Sequence, residues 1–162
     1  MIRRLSRPLA LAAFVAAAPL LAAQSALADD VNYVNERFGT SATFPGERFP
    51  QPLPAPTNGD GLGWTAPNGA EIYIYGRNNL GGETPQTIIA DRAETDEVTY
   101  KASGKRWAVV SGYRDGKIFY ERYILRGDLI HSVAVRYPEE VRDIYDPLVG
   151  PVTLSLRGPS SS

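Results

Sequence analysis

The segment VTYKASGKRWAVVSGYRDGKIFYERYILRGDLIHSVAVRY, residues 98–137, is cut by three turn signals into four β-rich runs of nearly equal length. Ser103-Gly104, Asp115-Gly116 and Gly127-Asp128 mark the cuts. Asp-Gly suits a type I′ turn and Gly-Asp a type II′ turn, with Ser-Gly the weakest of the three. Two-residue loops then place Tyr100 opposite Trp107, Trp107 opposite Ile124, and Ile124 opposite His131. The next row reads Val98, Val109, Arg122, Val133; beyond it Ser111, Tyr120 and Val135 align, then Tyr113, Ile118 and Tyr137. A slip of one residue would scatter these side chains over both faces, so their assembly into one nearly continuous apolar face assigns that face to the core. The opposite face, with Ala108, Val110, Gly112, Phe119, Glu121, Tyr123, Ile130, Ala134 and Arg136, is too apolar for a solvated surface. It predicts a partial cover on that side. Glu121 and Arg136 sit diagonally there and read as an ordinary surface ion pair, worth ~0.5 kcal/mol.

Outward from the meander, the sequence predicts a helix on each side. Pro138 opens one, with Val141, Ile144, Tyr145 and Leu148 as a stripe and a kink or restart at Pro147; Leu148, Val149, Val152 and Leu156 continue the buried face. Before the meander, Thr84-Pro85 supplies an N-cap and a first-turn proline for a helix over about 85–95. A hairpin turning at Asn68-Gly69 precedes it, with Trp64 opposite Tyr73 and Leu62 opposite Tyr75. Asn58-Gly59-Asp60-Gly61 lacks the helix and the Gly-Lys-Ser/Thr of a phosphate loop, and the acidic ligands of a calcium loop; it reads as a turn before a strand. Pro45, Pro50, Pro52, Pro54 and Pro56 predict an extended, packed surface loop, and Phe38 to Phe44 a strand that Pro45 ends. Asp29 to Arg37 reads as a loosely attached lead-in. The fold class is therefore α+β, an antiparallel sheet made of a hairpin and a four-stranded meander, flanked by helices.

Residues 1–28 read as a secretory signal peptide, with Arg3, Arg4 and Arg7 before an apolar run, Leu9 to Leu21, and cleavage after Ala28. The Arg3-Arg4 pair leaves general secretion and twin-arginine export both open. Periplasmic or secreted localisation follows, with no membrane anchor after cleavage. One domain spans 29–157, and 158–162 is a disordered tail. From Asp29 onward the chain has 134 residues and holds all 18 acidic residues against 14 of the 17 lysines and arginines, a net charge near −4. Such a surface does not attract nucleic acid or anionic membrane. There is no cysteine and so no disulfide.

Phe38-Gly39-Thr40-Ser41-Ala42-Thr43-Phe44-Pro45, followed by a hairpin, a helix, a long meander and a closing helix, resembles the PsbP-like α/β/α sandwich domains. More narrowly, Asn58-Gly59-Asp60-Gly61, Tyr100-Lys101-Ala102-Ser103-Gly104 and Phe119-Tyr120 resemble small exported proteins of Gram-negative bacteria. The resemblance covers about residues 38–157. It implies a docking or accessory module and supplies no active-site residues.

Chemistry is sparse. Thiol catalysis is excluded, a serine triad would need His131, the single histidine, and zinc would need His131 with three scattered carboxylates. No cofactor or metal is expected. Arg122, between Val109 and Val133, is the exception, because an unpaired buried guanidinium costs on the order of several kcal/mol. It either snorkels, pairs with a carboxylate such as Asp96, or accepts an anion in a pocket with Trp107, Tyr120 and His131. The leading functional expectation is a non-enzymatic exported domain that docks another envelope protein through exposed tyrosines and the proline-rich loop. The alternative is a small-molecule module binding an anion around Arg122, and the third an enzyme of unrecognised type.

Overall fold

The computed structural model describes residues 29–159; the expected signal peptide lies outside the described residues. A two-stranded hairpin, β1 (Asp30–Val34) and β2 (Ser41–Pro45), leads through one 3₁₀ turn into β3 (Gln51–Pro52), β4 (Gly61–Thr65) and β5 (Glu71–Asn78). Helix α1 (Pro85–Thr95) follows, then the meander β6 (Glu97–Gly104), β7 (Trp107–Arg114), β8 (Lys117–Arg126) and β9 (Leu129–Pro138), and finally α2 (Arg142–Leu154). Strands β3 to β9 form one antiparallel sheet in the order β3-β4-β5-β9-β8-β7-β6.

Two of the three meander registers follow the turn chemistry. Trp107 pairs with Ile124 and Ile124 with His131, and the required positive φ values fall on Asp115 and Gly116 and on Gly127. The first hairpin departs from it. Its loop is Lys105-Arg106, with Gly104 opposite Trp107 and Tyr100 opposite Ser111. Gly104 is spent elsewhere: a Cβ there would lie 2.2 Å from the Trp107 indole nitrogen, so glycine is needed for close approach rather than for the turn. A bulge between Val98 and Tyr100 then moves Val98 to the opposite face. The β4–β5 hairpin also shifts, by one residue. Gly69 carries the positive φ of a three-residue loop closed by Ala66 and Ala70, so Trp64 faces Ile72 and Leu62 faces Ile74. Those four side chains join one face, and Tyr73 and Tyr75 go to the other.

The main core lies on the first face. Ile72, Ile74, Ile118, Ile124, Val133, Val135 and Tyr137 meet Ala42 and Phe44 of β2 and Tyr145, Val149 and Val152 of α2. Ile144, expected in the helical stripe, is instead 41% exposed, and α2 continues through Pro147 and Pro151 with its buried row at Tyr145, Val149 and Val152. Burial explains two further departures. The lead-in forms β1 because Val31 and Tyr33 pack on the core, and the proline-rich loop sends Phe49, 1% exposed, into it. Gly158 and Pro159, which the sequence assigns to a disordered tail, pack against His131 and Gly39; Ser160 to Ser162 lie outside the described residues.

The expected partial cover of the second face is α1. Thr84 and Thr87 cap it reciprocally, and Ile88 seats on Ala108, Val110, Phe119, Tyr123 and Ile130. The two helices are offset. On one face α2 lies over β8 and β9 and against β2, whose hairpin packs on Trp64, Ile72 and Ile74 of β4 and β5; on the other face α1 lies over β6 and β7. Each face therefore keeps an uncovered half, at opposite ends of the sheet.

Candidate functional site

The first uncovered half carries most of the residues the sequence singled out. Arg122 and Trp107 come together, the guanidinium carbon 5.2 Å from the indole centroid, a cation–π contact. Tyr120 and Tyr100 sit alongside; burial first, and then the neighbouring Tyr100, raise the Tyr120 phenol above its ordinary value, while Arg122 opposes that rise. Tyr100 is 53% and Tyr113 36% exposed. Arg122 makes no ion pair among the described residues, and Asp96, the suggested partner, belongs to Arg114. Tyr120 also lines a hollow of about 290 Å³ with Tyr137, Arg142 and Asp146, to which Arg122 does not contribute.

His131 does not join this group. It is fully buried, its Nδ1 2.7 Å from the Thr40 hydroxyl, and Gly76 and Gly158 close over Thr40 and the ring so tightly that neither position has room for a side chain. Its Nε2 has no partner among the described residues. Burial, then the charge of Arg126, lowers its pKa. The unfolded chain therefore takes up a proton first as pH falls below about 6.5, while the folded chain stays neutral. Stability is expected to be complete above that pH and to decline from it toward the lower folded value. Urea melts at pH 7.5, 6.5 and 5.5 should show this loss in the native sequence and not in His131→Gln; equal slopes in both would remove His131 as the cause.

The second uncovered half holds a cluster the sequence reading missed. Glu121, read as half of a surface pair, is 3% exposed. Its carboxylate lies 2.7 Å from Arg114, 3.1 Å from Arg92 and 3.6 Å from Arg136, and accepts a short hydrogen bond from the Tyr123 hydroxyl. Arg114 also forks onto Asp96 at 2.6 and 2.5 Å, which holds that carboxyl below its usual range and raises the guanidinium further. Burial above all, then Glu121, pushes the Tyr123 phenol well up. Beside this network a cleft of about 340 Å³ opens between α1 and the β5 tyrosines, floored by Ser132 and Ala134. A larger open hollow of about 610 Å³, by the turn at Asn35, has only Glu36 and Arg37 as charged lining, and Arg37 already donates to the Asn58 carbonyl. Among the described residues no three of His, Cys, Asp and Glu converge as metal ligands.

The arrangement of a hairpin and seven-stranded antiparallel sheet between α1 and α2 has a counterpart among solved structures. Cyanobacterial PsbP (CyanoP) from Synechocystis sp. PCC 6803, solved in solution, superposes with a TM-score of 0.58 over 84% of this chain and 96% of that one. The fold is PsbP-like. At 9% identity the likeness to PsbP extends to the fold alone. No family profile matches the sequence, nor does any curated protein.

Proposed function

We propose that this PsbP-like domain is a non-enzymatic accessory module, exported to the cell envelope, that docks a partner protein through Trp107, Tyr120 and Arg122 with Tyr100 and Tyr113 around them. The observation that carries the reading is Arg122, stacked on Trp107 at a half-buried position with no carboxylate of its own among the described residues. Tryptophan, tyrosine and arginine are the side chains that dominate binding energy at protein interfaces. A partner that lays an acidic residue over the stacked guanidinium would supply the missing counter-charge. Strand addition at the β6 edge is disfavoured, because Glu97, Lys101 and the bulge between Val98 and Tyr100 blunt it. The proline-rich loop, with Phe49 buried and β3 paired to β4 at the other end of the sheet, is packed away from this face and is not part of the docking surface.

A photo-crosslinking residue at Tyr100, expressed in the source cells, tests this. One discrete adduct is expected, lost when Arg122→Glu is added and retained when the crosslinker sits beside Arg122→Lys. No adduct, or an adduct indifferent to Arg122→Glu, would refute docking at this face.

A further inference from the structure

We infer that the cleft between α1 and Tyr73–Tyr75, on the face opposite Arg122, binds a small molecule bearing one carboxylate on a flat apolar body. Charge in the cleft does not close. Arg77 is forked onto Glu83 and Lys117 reaches Glu71 at 3.1 Å, so those pairs cancel. Arg92, Arg114 and Arg136 remain, and the ion pairs of that cluster are with Asp96 and Glu121, while the Asp60 carboxylate lies outside the cleft lining, beside Tyr75. One positive charge is in excess, and Arg136 holds it most loosely. Its closest approach to Glu121 is 3.6 Å, its Nε is buried without an acceptor among the described residues, and its guanidinium rests 5.1 Å above the Tyr73 ring. The Arg136 side chain is still 31% exposed, so a carboxylate in the cleft meets it from that side and supplies the counter-charge that Glu121 divides among Arg92, Arg114 and Arg136.

The shape fixes the remainder of the ligand. Tyr73 and Tyr75 stack at 6.3 Å and 29° to form an aromatic wall, Ser132 and Ala134 keep the floor low, and α1 with Arg92 and Tyr123 closes the far side. A volume of about 340 Å³ lies in the range of small-molecule sites. Burial first, then the Glu71 carboxylate beside Tyr73 and the Asp60 carboxylate beside Tyr75, raises both phenols, which therefore remain neutral. A single surplus charge matches a monoanion. A phosphate dianion would bring a second negative charge, with no counterpart, close to Glu121.

Amide and arginine Nε–H NMR spectra of the mature protein, titrated with benzoate, neutral benzamide and inorganic phosphate in turn, decide the matter. Benzoate is expected to shift Tyr73, Tyr75, Ser132, Ala134 and the Arg136 Nε–H saturably, with benzamide and phosphate inert. Arg136→Gln should weaken benzoate by at least about tenfold, the loss of one charged hydrogen bond. Ala134→Leu, which fills the floor without touching charge, should abolish the response and stands in if Arg136→Gln melts early. Arg122→Glu, on the docking face, should leave the titration unchanged. No benzoate shift, benzamide acting as well as benzoate, tighter binding of phosphate, or Arg136→Gln binding like the native sequence would each overturn the inference.

Discussion

Replacing Glu121 by glutamine is expected to destabilise the domain by about 3 kcal/mol, the lower end of the range for a buried ion pair that loses one member. Glutamine keeps the shape but turns an acceptor of four contacts into a group that presents its own amide hydrogens to arginines. Arg114, 15% exposed along its side chain, keeps only Asp96, and the Tyr123 hydroxyl loses its acceptor in the interior. Arg92 and Arg136 are 39% and 31% exposed, so water screens much of their share, which is why the lower figure applies. Urea unfolding measures it. A loss under about 1 kcal/mol would mean that the network is held by solvent rather than by Glu121.

Phe49→Ala should cost about 3–5 kcal/mol, as large-to-small substitutions of a buried aromatic do. The ring is 1% exposed, meets Phe44 edge to face at 5.9 Å and 82°, and lies 5.4 Å from Tyr145. Tyr145 in turn stacks on Tyr137 at 5.5 Å and donates to Asn68 and to the Arg48 carbonyl, so the cavity would open where loop, hairpin and α2 meet. Leu80→Ala is the reference, since Leu80 is 93% exposed and should shift stability by no more than about 0.5 kcal/mol. Comparable midpoints for the two variants would return the proline-rich loop to the role of a surface strap.

What the sequence made readable was whatever local stereochemistry enforces. Asp115-Gly116 and Gly127-Asp128 need positive φ, and two registers followed from them; Thr84-Pro85 placed α1 within its observed ends. Gly104 and Gly69 misled for one shared reason. A glycine can serve a turn or a close approach, and a three-residue loop can hide behind an Asn-Gly pair. The shift at Ser103-Gly104 still left Tyr100 on its assigned face, whereas the single-residue shift at Asn68-Gly69 parted Trp64 and Leu62 from Tyr73 and Tyr75 and set them with Ile72 and Ile74. The Glu121 cluster was hidden because it joins α1 to three strands. Its trace in the sequence is that Arg114 shares the alternation of Val110 and Gly112, and so the face of Glu121 and Arg136, while Arg92 follows the buried Ile88 by one helical turn.

The clasp between Ser41 and Arg157, two backbone hydrogen bonds of 2.9 and 2.8 Å, has a temporal consequence. The β1–β2 hairpin is made early, yet α2 and the segment that clasps it are made late. Its apolar side can meet Trp64, Ile72 and Ile74 early but lacks α2 while the intervening strands pair, and closing so long a loop is slow compared with the local hairpins. The meander can assemble on its own schedule, and native packing of the main core waits for the last turn of α2. A chain ending before Arg142 would carry every strand of the sheet yet leave the part of the main core that Tyr145, Val149, Val152 and Leu156 cover open to water.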